Sequence, residues 1–153
     1  MLPKVLVCDH IHPSALDVLR PLAEVVESPP LSEAELCERL PGFEALLVRS
    51  QTKVTAAALE KADALRIIAR AGVGVDNIDL AAATRKGVMV VNSPEGNTIA
   101  AAEHTLALMF ALARHVPAAD QALKANQWRR NDFMGAELYQ KTLGIVGLGK
   151  IGS

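Results

Sequence analysis

The chain has 153 residues, 50% of them hydrophobic and 22% charged, which is about one domain's worth of globular chain and excludes a disordered tail. Aromatics make up only 3%, with Trp128 and Tyr139 as single copies, so the core has to be built from Ala, Val, Leu and Ile. Sixteen basic against seventeen acidic residues leave a net charge of -1; no broad field is available for nucleic acid or an anionic membrane, and any anionic ligand must be met locally. No uncharged apolar run approaches the ~18 residues that a membrane helix needs. The opening MLPKVLVCDH lacks the basic region, long apolar segment and small-residue cleavage site of a secretory leader, so a cytoplasmic location is expected. Cys8 and Cys37 have neither CxxC nor His-rich spacing and read as buried thiols rather than a disulfide or a metal site.

Taken in chain order, strands and helices alternate. Residues 4–8 (KVLVC) form a β-branched run that leads through Asp9 to a helix opened by Pro13, whose fixed φ suits a first turn. Residues 23–26 read as a second strand. Ser32-Glu33-Ala34-Glu35 has the form of a capping box and predicts a helix to about Leu40. Residues 44–48 (EALLV) are a third apolar run, after which Thr55 caps AAALEKA. Residues 66–69 and 88–91 give two more strands, with a small helix over 79–86 between them. Five short, nearly continuous apolar strands separated by helices are what a parallel sheet covered on both faces requires.

The run Asn92-Ser93-Pro94-Glu95-Gly96 is rich in turn formers, and the residue before a proline avoids helix; a hinge is expected there. Asn97 or Thr98 then caps a long helix whose apolar residues Ile99, Ala102, Leu106, Met109 and Ala113 step by three and four. Its expected cover is the ending KTLGIVGLGKIG. There residues 143–146 read as a strand entering Gly147-Leu148-Gly149-Lys150-Ile151-Gly152, the spacing of a dinucleotide-binding turn. Its first glycine permits a tight bend, its second admits the pyrophosphate, and its third allows close packing. The helix and the acidic residue that complete such a site would lie beyond Ser153, so the chain is expected to be a fragment or to lack a complete cofactor site.

A second constellation, Arg70-Ala71-Gly72-Val73-Gly74-Val75-Asp76-Asn77, follows the fourth strand. Ligands of open α/β sheets bind beyond the carboxyl ends of strands, and glycines there leave N–H groups free to surround an anion such as a carboxylate. Val48-Arg49-Ser50 ends the third strand, where a guanidinium and a hydroxyl can add charge-assisted hydrogen bonds.

The stretches VRSQTKVTAAAL, RAGVGVDNIDLAAATRKGVMVVNSPEGNTIAAAEHTLALMFALAR and FMGAELYQKTLGIVGLGKIG resemble the N-terminal part of the D-2-hydroxyacid dehydrogenases, a resemblance that runs across essentially the whole chain. FMGAEL points to their phosphoglycerate-oxidising branch. The resemblance implies an α/β fold: a flavodoxin-like open parallel sheet over residues 1–92 that binds substrate, then over 93–153 a hinge, a long helix and the first strand of a truncated Rossmann domain. It implies NAD as cofactor, a small phosphorylated 2-hydroxy acid as substrate, and a homo-oligomer.

Residue by residue, the resemblance assigns Arg49, Ser50, Gly72, Val73, Gly74 and Asn97 to the substrate. It assigns Val73, Gly147, Gly149, Lys150, Ile151 and Gly152 to the cofactor. Position 73 is valine where some relatives carry threonine, which puts a side-chain hydroxyl contact in doubt. The family's histidine, its acidic partner and the carboxylate-holding arginine fall beyond Ser153, so no catalytic residue is named and the isolated chain is expected to be inactive. Alternatives are a glyoxylate or hydroxypyruvate reductase, and a catalytically inactive binding or regulatory piece on the same scaffold. A phospho-acceptor module would need an aspartate where Arg49 stands.

Among the remaining polar residues, His104 is expected to be packed on the long helix and His115 to complement that helix's end. His10 and His12 border the first loop, without metal-ligand spacing. Arg129 and Arg130 read as a solvated basic turn, with contact to an anion as the alternative.

Overall fold

The computed structural model describes residues 2–153 and divides into two compact units, one reaching to Gly96 and the other running from Asn97 to Ser153. The first unit alternates without exception: β1 (Lys4–Val7), α1 (Pro13–Leu19), β2 (Glu24–Glu27), α2 (Glu33–Arg39), β3 (Ala45–Val48), α3 (Ala56–Lys61), β4 (Ile67–Arg70), α4 (Leu80–Lys86) and β5 (Met89–Asn92). All four pairings are parallel and the spatial order is β2-β1-β3-β4-β5, the flavodoxin-like order, in which the chain reverses its direction of travel across the sheet between β1 and β3.

Register explains the core. Leu6 lies opposite Val26 and Leu46, Leu46 opposite Ile68, and Ile68 opposite Val90, so one row of aliphatic side chains crosses the whole sheet on a single face. That face packs with Leu36 and Leu40 near α2, Ala58 and Leu59 of α3, and Ala82 and Ala83 of α4. The intervening positions Val5 and Val7 point to the opposite face and pack with Leu16 of α1, Ile11 and Ala23. On the β5 edge Met89 and Val91 stay exposed.

The helix starts follow local chemistry. His12 accepts the Ser14 amide through Nδ1 at 3.3 Å, capping α1. The capping box of α2 is complete: Glu35 accepts the Ser32 amide at 2.8 Å and its hydroxyl at 2.6 Å, while the Ser32 oxygen accepts the Glu35 amide. These Ser32 bonds hold the Glu35 carboxyl below the usual carboxylate range. Thr55 caps α3 and Asp79 caps α4, whose last turn closes on Gly87 at φ +72°, a left-handed conformation that glycine adopts without steric cost.

In the second unit α5 spans Thr98–Ala113 and α6 spans Val116–Lys124, followed by a 3-10 turn over Arg130–Phe133. Asn97 precedes α5 but makes no side-chain capping bond. His115 directly follows the C-cap residue of α5, with its amide on the Leu112 carbonyl at 3.4 Å, and at φ +53° it also forms the corner that starts α6. His104 is exposed rather than packed. Arg129 donates to Asp132 at 2.8 Å and lies 5.9 Å from the Phe133 ring centroid, so this arginine is engaged within its own turn.

The expectation of a strand at 143–146 does not hold. The segment has no strand assignment, and Leu143, Ile145 and Val146 are exposed. A lone strand has no ladder to satisfy its amides, and among the described residues none pairs with it.

Candidate functional site

At the carboxyl end of the first unit's sheet, the loops after β1, β3 and β4 are tied together. Val48 and Arg70 are neighbours in register, so Arg49 and Ala71 leave adjacent strands side by side. Beyond them Val54 bridges Ile78, with the Val54 amide on the Asn77 carbonyl at 2.8 Å and the Asp79 amide on the Val54 carbonyl at 2.9 Å. Asn77 Nδ2 donates to the carbonyls of both Arg49 and Thr52 at 2.8 Å.

The loop after β4 is oriented through its carbonyl groups. The Gly72 carbonyl accepts the Ser93 amide at 3.0 Å and the Val73 carbonyl accepts Asn92 Nδ2 at 2.6 Å. In a planar trans peptide the following N–H points the opposite way, so the Val73 and Gly74 amides are turned away from β5, and neither has an acceptor among the described residues. Consecutive backbone amides without acceptors are the kind of donor that an anion can use. Both residues are exposed.

Arg70 stands beside this bend. A Cβ on Gly72 would overlap the Arg70 guanidinium, so the absence of a side chain at Gly72 is what makes room for it. Among the described residues Arg70 makes no ion pair, and its Nε is buried without a partner. Arg70 opens the glycine-rich motif, but nothing in its spacing distinguishes a strand-end arginine from any other.

Arg49 and Ser50 are both exposed. The Arg49 guanidinium donates to the His10 carbonyl at 3.2 Å, and its amide donates to Asp9 Oδ2 at 2.8 Å. Asp9 is the residue that sequence reasoning missed, having placed it only as the link between the first strand and the helix opened by Pro13. Its carboxylate is buried at 7% exposure, and the residue sits at φ +69°. It accepts the amides of Arg49, Gln51 (3.2 Å) and Thr52 (3.0 Å) and the Thr52 hydroxyl (2.5 Å). These partners lie some forty residues downstream, beyond the reach of any local pattern. Next to it, Cys8 is fully buried, and burial first, with the Asp9 charge second, pushes its thiol up to about 12. The described residues contain no group of three or more His, Cys, Asp and Glu side chains able to hold a metal ion.

The remaining sequence-selected residues belong to the second unit. Asn97 adjoins the start of α5. Gly147 bends at φ +100°, and the chain turns through 150–152 until the Ser153 amide reaches the Gly149 carbonyl at 3.0 Å. A Cβ on Gly152 would overlap the Gly147 carbonyl oxygen, whereas one on Gly149 would meet nothing within 4 Å. The third glycine of the motif is therefore needed for close approach of backbone to backbone, and the second leaves open backbone. This ending and the first turns of α5, including Thr98, Ala102 and Leu106, line a cavity of about 620 Å³.

Residues 5–146 match the family described as D-isomer specific 2-hydroxyacid dehydrogenase, catalytic domain. The chain belongs to that family. It is 57% identical over 150 residues to D-3-phosphoglycerate dehydrogenase from Synechocystis sp., a match that covers 98% of this chain but only 27% of that protein. Among solved structures it is similar to the TT0316 protein from Thermus thermophilus, with a TM-score of 0.90 and 35% identity over 97% of this chain and 50% of that one. It is also similar to D-lactate dehydrogenase from Aquifex aeolicus, complexed with NAD and lactic acid, with a TM-score of 0.81 and 26% identity over 97% of this chain and 45% of that one. This 2-hydroxyacid dehydrogenase chain thus spans roughly a quarter of the Synechocystis protein's length and about half of each solved structure. No helix among its described residues is long and apolar enough to cross a membrane.

Proposed function

We propose that this chain serves the NAD-dependent oxidation of D-3-phosphoglycerate to 3-phosphohydroxypyruvate, supplying the substrate-binding sheet and the beginning of the cofactor site. The observation that carries the reading is the pair of outward amides at Val73 and Gly74, each oriented by an anchored carbonyl. An acid group placed there accepts two N–H bonds and gains from the unpaired positive charge of Arg70. Arg49, with Ser50, is taken to hold the phosphate, because a guanidinium offers a forked donor set that matches tetrahedral oxyanions. Asn97 is kept as a further substrate contact.

The residues of the second glycine bend fit a pyrophosphate: Gly149 presents backbone that no atom crowds, and the approach of Gly152 to Gly147 keeps the turn tight. Gly147, Gly149, Lys150, Ile151 and Gly152 would hold the cofactor there. When bound, NAD supplies the acceptor for the hydride that leaves the carbon next to the carboxylate. This chain's own residues bind and orient the acid; none is assigned the hydroxyl proton, and purified 1–153 is expected to form no NADH from 3-phosphoglycerate. The reading takes NAD over NADP, a cytoplasmic setting and a homo-oligomer, the last supported by the exposed apolar residues Leu108, Phe110 and Leu112 of α5.

Titrating isotope-labelled chain with 3-phosphoglycerate, with glyoxylate as the comparison acid, tests the assignment by amide and guanidinium NMR. Shifts at the Val73 and Gly74 amides with both acids, and at Arg49 with the phosphorylated one alone, are expected. Shifts confined to other regions refute the reading, and a response restricted to glyoxylate moves it to the reductase type.

A further inference from the structure

We infer that Asp9 is a positioning residue for substrate, holding Arg49 at the sheet's switch point by occupying the amides of its loop; this rests on the reading that Arg49 contacts the acid. Three observations combine. First, Asp9 follows β1 and Arg49 follows β3, and these are the strands between which the chain reverses its travel across the sheet, where open α/β sheets bind ligands. Second, the β3 loop presents inward-pointing amides at Arg49, Gln51 and Thr52, and the buried Asp9 carboxylate takes all three together with the Thr52 hydroxyl. An outside anion therefore finds these amides already engaged and meets the side chains of Arg49 and Ser50 and the β4 loop. Third, Asp9 adopts a left-handed backbone conformation at φ +69°, uncommon outside glycine and kept only where the surroundings over-determine it.

Two further contacts fix the same loop. Asn77 Nδ2 holds the carbonyls of Arg49 and Thr52 from the β4 side, and the Arg49 guanidinium is braced on the carbonyl of His10, the residue after Asp9. The backbone of residue 49 is thus pinned at N–H and at C=O, and its side chain is held at one nitrogen. A carboxylate at position 9 converts an arginine on an exposed loop into one with a set direction, lowering the ordering cost of binding.

The experiment is a double-mutant cycle on the chain, reading the dissociation constant for 3-phosphoglycerate and the Arg49 Nε resonance. R49Q is expected to weaken binding about tenfold, the loss of one charge-assisted contact. D9N is expected to weaken it several-fold and to broaden or shift the Arg49 resonance before ligand is added. The pair R49Q/D9N should be within about twofold of R49Q alone, because Asp9 acts through Arg49. N77A, which removes only the carbonyl clamp, should reproduce the D9N pattern in weaker form and keeps the test open if D9N does not fold. Wild-type affinity and an unchanged Arg49 resonance in N77A and in folded D9N would overturn the inference, as would fully additive losses. Wild-type binding by R49Q would instead remove the substrate role of Arg49 itself, and the inference with it.

Discussion

Thr52→Val tests the buried network around Asp9 through stability alone. Thr52 is 0% exposed; its hydroxyl donates to Asp9 Oδ1 at 2.5 Å and accepts the Leu31 amide at 3.2 Å. Valine has nearly the same shape and can do neither. Losing a hydrogen bond to a charged acceptor costs about 2 kcal/mol, and leaving the Leu31 amide unpaired in the interior costs about 2 more. The added methyl recovers roughly 1 kcal/mol, so the net loss should be about 3 kcal/mol. Thr52→Ser keeps both hydrogen bonds and gives up one methyl, about 1 kcal/mol. Urea unfolding of both variants, followed by circular dichroism, separates the contributions. If Val and Ser at this position lose the same stability, the hydroxyl contributes nothing, and the account of the Asp9 network is wrong.

Gly87→Ala places a side chain at φ +72° with nothing within 4 Å of its Cβ; the cost is backbone strain alone, about 1 kcal/mol, read as an equally small shift in the urea midpoint. For the thiols, iodoacetamide at pH 8 should modify half-buried Cys37 well before Cys8, whose ionisation is pushed up to about 12; peptide mapping that finds Cys8 labelled first would contradict its buried setting. The sign of the pH effect follows: the unfolded Cys8 thiol ionises near the ordinary value of 9.0 while the folded one does not, so stability declines as pH rises from that value toward 12.

The fold was legible wherever its cause is local. The capping box at Ser32, the Thr55 cap and the proline opening α1 each act within four residues, and each stands where the sequence puts it. The strands were found to within a residue because a β-branched run between turn formers has few other uses; residues 66–69 became Ile67–Arg70 and 88–91 became Met89–Asn92. Helix α6 was overlooked although Pro117 lies in its first turn, a start mark as good as the one at Pro13. The failed strand at 143–146 shows the opposite limit, since an apolar run has strand propensity but a strand exists only with a partner.

The candidate site divides along the same line. Glycine spacing pointed to the loop at 72–74, and the outward direction of its amides is decided by Asn92 and Ser93, nineteen and twenty-one residues further on. Arg49 was chosen for its charge at a strand end, and its backbone is held by a residue forty positions earlier. Asp9 carries no local mark at all. Its importance comes from the strand order, and strand order is a property of the folded sheet.

The Asp9 to Thr52 contact joins positions 43 residues apart, and between them the chain must complete α1, β2, α2 and β3. Long-range contacts of this kind form only after the intervening loop closure has been achieved. During refolding, ordering of the Arg49 loop should therefore keep pace with completion of the central strands and not precede it. A ligand for this crevice would then capture only finished molecules, drawing the folding equilibrium forward without accelerating the earliest steps.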